Sequence, residues 1–218
     1  MNTRTVEGDH RTVRQRILDT ALQDFHDFGF HAATVRNIAK HAGCSAANVY
    51  NHFENKDEIL VEILRAASDE QFTATRNAVR RAEPTPAARW TAAVGAHAHY
   101  TATRARECLV ANTELRYLQE VDRRRVVGSR DAQEHQFILL AEDGVSSGDF
   151  HVSRVHQAVT AVLSMCAGIA LWYRDDGPLG AREVADSYAS YALNLMGFKD
   201  GGDGGTVDGN LEGVVSSI

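Results

Sequence analysis

The stretch Thr34–Phe53, TVRNIAKHAGCSAANVYNHF, decides the fold class. Val35, Ile38 and Ala39 recur at helical spacing in its first half, and Val49 and Phe53 stand four apart in its second. Gly43 falls between them, where the chain must turn and glycine alone takes a positive φ at little cost. Ser45 follows as an N-cap, its hydroxyl placed to accept from orphaned N–H groups of the next helix. Two short helices about a glycine turn form a helix-turn-helix, a device that lays one helix in the DNA major groove.

Upstream, Ile17, Leu18, Ala21, Leu22, Phe25 and Phe28 form an i, i+3, i+4 stripe that predicts a helix over 12–28, with Gly29 ending it. This helix supplies the third wall of a small core. Residues 1–11 are polar and read as a flexible arm. Arg4 and Arg11 can serve a DNA groove or backbone from it, or belong to a solvated tail. Downstream, Asn55 opens a fourth helix running to about Arg81, with Asp57 and Glu58 in the first turn, where they favour the helix dipole. Pro84 and Pro86 break the pattern. The expected organisation is an arm over 1–11, a helix-turn-helix domain over 12–56, a connecting helix over 57–83, a helical ligand-binding and dimerisation domain over 84–198, and a disordered tail over 199–218.

With only 3 prolines in 218 residues, an all-α chain of about nine helices is expected. The net charge of −6 argues against a generally basic coat. Residues 1–56, however, hold seven Lys/Arg against six Asp/Glu, a balance of +1, and the remainder sixteen against twenty-three, a balance of −7. A relatively basic head on an acidic body suits DNA binding at one end. Cys44, Cys108 and Cys166 are scattered, without zinc spacing, which points to a reducing compartment. No apolar run reaches the roughly 20 residues a bilayer span needs, so cytoplasm is the expected location and no membrane partner is expected.

Further helices are expected over 87–100, 106–118, 121–148, 151–173 and 181–196. His97 and His99 lie two apart, on different sides of a helix, and are not read as a metal site. Arg123, Arg124 and Arg125 read as a solvated face rather than a nucleic-acid contact. In the last two helices Val155, Val159, Val162, Cys166 and Ile169, then Val184, Tyr188, Tyr191 and Leu195, form narrow apolar stripes. These are suited either to pairing across a two-fold axis or to packing within one chain; the symmetric target of such DNA-reading heads favours the dimer seam.

The segment RILDTALQDFHDFGFHAATVRNIAKHAGCSAANVYNHFENKDEIL resembles the DNA-binding domain of the TetR family of bacterial transcriptional regulators. The aromatic–glycine end of its first helix, the IA..AG core, the Y.HF end of the recognition helix and the following lysine carry the likeness. The resemblance implies a homodimeric repressor that releases a palindromic double-stranded DNA operator when a small ligand fills the larger domain. By the same resemblance Thr34 and Arg36 contact backbone or base edges. Ser45 opens the reading helix, Ala46, Ala47 and Asn48 match positions that read bases, Tyr50, His52 and Lys56 meet phosphates, and Asn51 varies with specificity. Relatives often carry a long polar residue and a glycine where this chain has Ala46 and Ala47, which implies fewer base hydrogen bonds and more thymine-methyl contact.

The body is similar to the branch that senses fatty-acyl or steroid-derived CoA thioesters, through RYLQEVDRRRVVGSRDAQEHQF and GIALWYRDDGPLGAREVADSYASYALNLMGF. That likeness implies a pocket among the fifth to eighth helices, with Trp90, Tyr100, Asn112, Arg116, Phe137 and Met165 as contacts. Trp172 and Arg174 are placed by it to meet an adenine or phosphate, or else to pack beside the dimer seam. Two other classes compete. A helical-bundle enzyme acting on a small hydrophobic substrate lacks any GxSxG, HExxH, P-loop or dinucleotide motif. Its one ExxH, Glu7 with His10, lies in the arm, so no catalytic residue and no cofactor or metal is expected. A DNA-binding protein that answers to no ligand is the other.

Overall fold

The computed structural model describes residues 12–199, all helical among the described residues. Four helices make the head: α1 (Val13–Phe28), α2 (Val35–His41), α3 (Ala46–Tyr50) and the start of α4 (Lys56–Arg81). The body comprises α5 (Pro86–Thr103), α6 (Ala105–Thr113) with a 3₁₀ turn at Leu115–Tyr117, α7 (Glu120–Ser147), α8 (Val155–Trp172) and α9 (Ala181–Leu195). The arm, with Arg4, Arg11, Glu7 and His10, and the expected tail beyond Lys199 lie outside the described residues.

Each head helix starts on a side-chain cap. Thr12, Thr34, Ser45 and Asn55 accept from the N–H groups of Gln15, Asn37, Asn48 and Glu58. The turn between α2 and α3 closes with Cys44 N–H on Ala39 O at 2.9 Å and Gly43 N–H on Lys40 O at 3.3 Å. That is the paired bonding of a Schellman motif, and Gly43 at φ 67° supplies its left-handed residue.

Ile17, Ala21, Phe25, Ile38, Val49 and Phe53 meet in the head core. Ile59, Leu60 and Leu64 of α4 share that cluster, as do Val110, Ala111, Leu118 and Val126 of the body. Three helices therefore do not enclose the core alone; the body completes it. Phe28, placed in the buried stripe by periodicity, is instead exposed, because α1 ends there and its last side chain passes the edge of the core.

The segment expected as one helix over 106–118 breaks at Glu114, whose side chain is buried. The helix expected from His151 begins at Val155, since His151 N–H is taken by Met196 O at 2.8 Å, beside the end of α9. In the body, Trp90 and Val94 of α5, Phe137 and Ala141 of α7, Val159 and Val162 of α8 and Ala189 of α9 form the main core. Among the described helices α8 alone is long and apolar enough to cross a membrane by length and composition, yet its apolar stripe packs into this core.

The same packing corrects the dimer seam. Val159, Val162, Cys166, Ile169 and Val184 are buried within one chain, and Val155 is half-buried against the same core. None of the five buried side chains is free to meet a partner. The outer faces of α8 and α9 instead expose Leu171, Trp172, Tyr191 and Leu195. Trp172 lies stacked near Tyr188, ring centroids 6.4 Å apart at 29°, and Tyr188 leans on Tyr191 at 6.1 Å.

Candidate functional site

Two sites emerge, one on the head and one in the body. On the head, Arg36 projects from α2 and Ala47, Tyr50, Asn51 and His52 from α3 and its end, all exposed. Tyr50 keeps 56% of its surface in solvent although it is a large aromatic, and Arg36 has no partner among the described residues. Thr34 and Ser45 accept at their caps, which leaves each hydroxyl hydrogen free to donate outward. Ala46 and Asn48 are half-buried, Ala46 against the head core.

Lys56 departs from expectation. Its ammonium donates to Phe30 O at 2.6 Å and to Ala33 O at 2.8 Å, and sits 4.3 Å from the Phe30 ring centroid. Burial lowers its pKa. Lys56 ties the α1–α2 loop to α4, which leaves one of its three N–H groups for a phosphate.

In the body a cavity of about 230 Å³ lies between α4, α5, α6, α7 and α8. Its polar wall is built around His97 and Gln133. Gln133 Nε2 donates to His97 Nδ1 at 2.6 Å and to Thr75 Oγ1 at 3.2 Å. Because Nδ1 accepts, the imidazole proton sits on Nε2. Burial pushes the His97 pKa down to about 4, so the ring is neutral near pH 7. Gln71 Nε2 donates to Thr101 Oγ1 at 3.1 Å on the same wall.

Arg130 contributes the cavity's cation. Its Nη2 donates to Ala111 O on α6 at 2.8 Å, and its Nε reaches Ser68 Oγ at 3.4 Å. Desolvation lowers its pKa. Cys108 also lines the cavity; burial pushes its thiol up to about 12, and the thiol of Cys166 likewise, so both are inert packing groups.

Only one of the expected ligand contacts, Asn112, lines this cavity. Trp90 and Phe137 pack edge-to-face at 5.6 Å in the core behind it, with Met165 against the same core. Tyr100 turns outward to donate to Glu70 Oε2 at 3.1 Å, and Arg116 lies over the Tyr117 ring at the junction with the head. Trp172 is on the surface, and Arg174 lines a separate, open cleft of about 740 Å³ with Arg106 and His26.

In the sequence His97 stands out only as a metal ligand to be set aside, and Arg130, Gln133 and the α4 wall are unmarked, although a signal exists. In Trp90–Val94–His97–Thr101 and Val126–Arg130–Gln133–Phe137, polar residues occupy positions where the helical period demands apolar ones.

Comparison with known proteins gives the same assignment. The profile described as "Bacterial regulatory proteins, tetR family" matches residues 17–63, and that described as "Tetracyclin repressor-like, C-terminal domain" matches residues 83–196. The repressor KstR2 of Mycobacterium tuberculosis H37Rv is 27% identical over 193 residues, covering 86% of this chain and 94% of that protein. PfmR of Thermus thermophilus is 31% identical, with a TM-score of 0.75 over 82% of this chain and 97% of that one. AibR, solved in complex with isovaleryl coenzyme A and operator DNA, shares the fold at a TM-score of 0.74 and 20% identity, over 83% and 97% of the two chains. With both halves matched in chain order and a capped helix-turn-helix at its head, the protein belongs to the TetR family of bacterial transcriptional regulators.

Proposed function

We propose that the protein is a homodimeric repressor that leaves a two-fold symmetric operator when an acyl-CoA thioester places its acyl end in the α4–α8 cavity. One observation carries this reading: the wall of the cavity is bonded to the head. Arg130 holds the Ala111 carbonyl of α6, and at the end of the same helix Glu114 accepts the N–H of Phe30, in the loop leading to α2, at 3.2 Å. The rings of His31 and Tyr117 meet beside it at 4.4 Å. A ligand that engages Arg130 acts on the side chain that holds the Ala111 carbonyl, and so bears on the element against which the head rests. It shifts the equilibrium only as far as it prefers the released form.

The thioester class is supported by the named ligand of AibR. A cavity of about 230 Å³ takes the acyl portion and not a whole coenzyme. Arg106 and Arg174, in the separate open cleft that Glu107, Asp175 and Asp176 also line, are cations suited to its phosphates. Dimerisation is assigned to the exposed aromatic face of α8 and α9, around Trp172, Tyr188 and Tyr191. The two recognition helices then address half-sites about 34 Å apart, from the cytoplasm where the chromosome lies.

Phosphates supply most of the affinity, through Thr34, Arg36, Ser45, Tyr50 and His52. Sequence is read sparsely, by Ala47 and Asn51 with Ala46 and Asn48 at the margin. The test is retardation of a fragment carrying the gene's own promoter at low salt, followed by addition of short-chain acyl-CoA thioesters. A dimer that fails to shift the fragment sinks the regulatory reading. One that binds but is indifferent to every thioester sinks the effector class.

A further inference from the structure

The donors that line the cavity specify the ligand's chemistry further than its size does. Arg130 is a half-buried guanidinium with no carboxylate within 4 Å among the described residues. Glu134, on the next turn of α7, also lines the cavity, but it is exposed and makes no ion pair with Arg130. Arg130 spends Nη2 and Nε on the Ala111 carbonyl and the Ser68 hydroxyl, with a longer reach to Asn112 Oδ1 at 3.4 Å. Nη1 is left without a partner.

His97 repeats the pattern. Nδ1 is taken by Gln133, Nε2 carries the proton, and that N–H has no partner among the described residues. It is not among the buried unsatisfied atoms, so it is open to the cavity that His97 lines. An unpaired cation held partly out of water is costly until an anion or a strong acceptor joins it. Two unspent donors in one cavity, one of them charged, ask for a group that only accepts and carries negative charge.

We infer that the effector's buried end bears a carboxylate, held by Arg130 and His97, so that the cavity takes a short dicarboxylic acyl group in preference to a plain hydrocarbon one. The inference rests on the reading of this cavity as the effector site. The volume, roughly eight waters' worth, matches a chain of a few carbons ending in a carboxylate. Free dicarboxylate and dicarboxylic monothioester share this chemistry, and their comparison separates the two sources.

The test titrates the full-length protein with glutaryl-CoA, with 5-methylhexanoyl-CoA (in which an isopropyl group replaces the carboxylate at equal size) and with free glutarate, by calorimetry and by operator release. Glutaryl-CoA is expected to bind at least roughly tenfold more tightly than its neutral isostere. Arg130→Gln removes that preference, and Arg130→Lys, which keeps the charge without the fork, retains part of it. Thermal unfolding without ligand verifies that each variant is folded. If glutarate alone binds and releases DNA, the free acid is the source; if only the thioester does, the coenzyme is needed as well.

Equal or tighter binding of the neutral thioester overturns the inference, and so does a preference that survives in Arg130→Gln. Operator release by the neutral compound without preference leaves the effector reading standing and removes this one. Indifference of DNA binding to all three probes removes both.

Discussion

The carboxylate of Glu114 accepts the backbone N–H of Phe30 at 3.2 Å, across 84 positions of sequence, and also accepts the Thr113 hydroxyl at 3.0 Å. Glu114 is buried, and this bond joins the body's α6 to the loop that positions α2. Glu114→Ala strands a buried N–H and is expected to cost about 1–3 kcal/mol in denaturant unfolding, while Glu114→Gln, which keeps an acceptor, recovers most of it. The alanine variant also releases operator DNA less sharply when effector is added. Equal stability of the two variants refutes the role given to this contact.

Lys56 and Arg36 separate structure from DNA contact. Lys56→Met keeps the apolar stem but removes two charge-assisted bonds to Phe30 O and Ala33 O, with an expected loss of about 2 kcal/mol in stability. The salt dependence of operator binding is expected to stay as it was, because the ammonium is held by the Phe30 and Ala33 carbonyls. Arg36→Ala does the reverse: stability holds, and because the dimer loses two phosphate contacts the slope of log affinity against log salt falls by about two. A flattened slope for Lys56→Met returns that lysine to the DNA.

His97 gives the molecule an acid limit. Its folded pKa is depressed from 6.5 to about 4 by burial, so the unfolded chain binds the proton more readily. The stability from keeping the ring neutral is whole above pH 6.5 and is lost as pH falls from 6.5 toward 4. At pH 5 the loss is about 2 kcal/mol relative to pH 7.5. Unfolding free energies of the wild type and His97→Gln at the two pH values provide the check. A wild type that loses no more than the variant rules out a buried neutral histidine here.

The two faces of α8 respond differently to substitution. Val162→Ala truncates a fully buried side chain and is expected to lower stability by roughly 2 kcal/mol. Trp172, with 45% of its surface exposed, and Tyr191, with 57%, belong to the outer face. The double variant Trp172→Ala, Tyr191→Glu is expected to sediment as monomer and to lose operator binding, with helical content retained. A double variant that stays dimeric moves the interface elsewhere.

Much of the head is legible from local rules. Caps at Thr34 and Ser45 and the glycine at Gly43 act over a few residues, so their meaning travels with the sequence. The fate of Lys56 does not: its partners Phe30 and Ala33 lie 26 and 23 positions away. The candidate effector site was the least legible part. His97 comes from α5 and Arg130 and Gln133 from α7, and only the packing of α4 to α8 brings them to one cavity. Periodicity marks a stripe as apolar without saying what covers it. Val159, Val162 and Cys166 therefore suit a seam between chains, the favoured reading, as well as a core within one, and the tertiary structure chose the core.

By itself the sequence determined the helical framework of the described residues, the helix-turn-helix and its solvent-facing side, because these follow from spacing, capping and turn chemistry within a turn or two of helix. Only the tertiary structure decided which polar side chains share a cavity, which aromatics stay outside, and that Glu114 reaches Phe30. Those pairings join residues far apart in the chain, and they form only once the helices have packed.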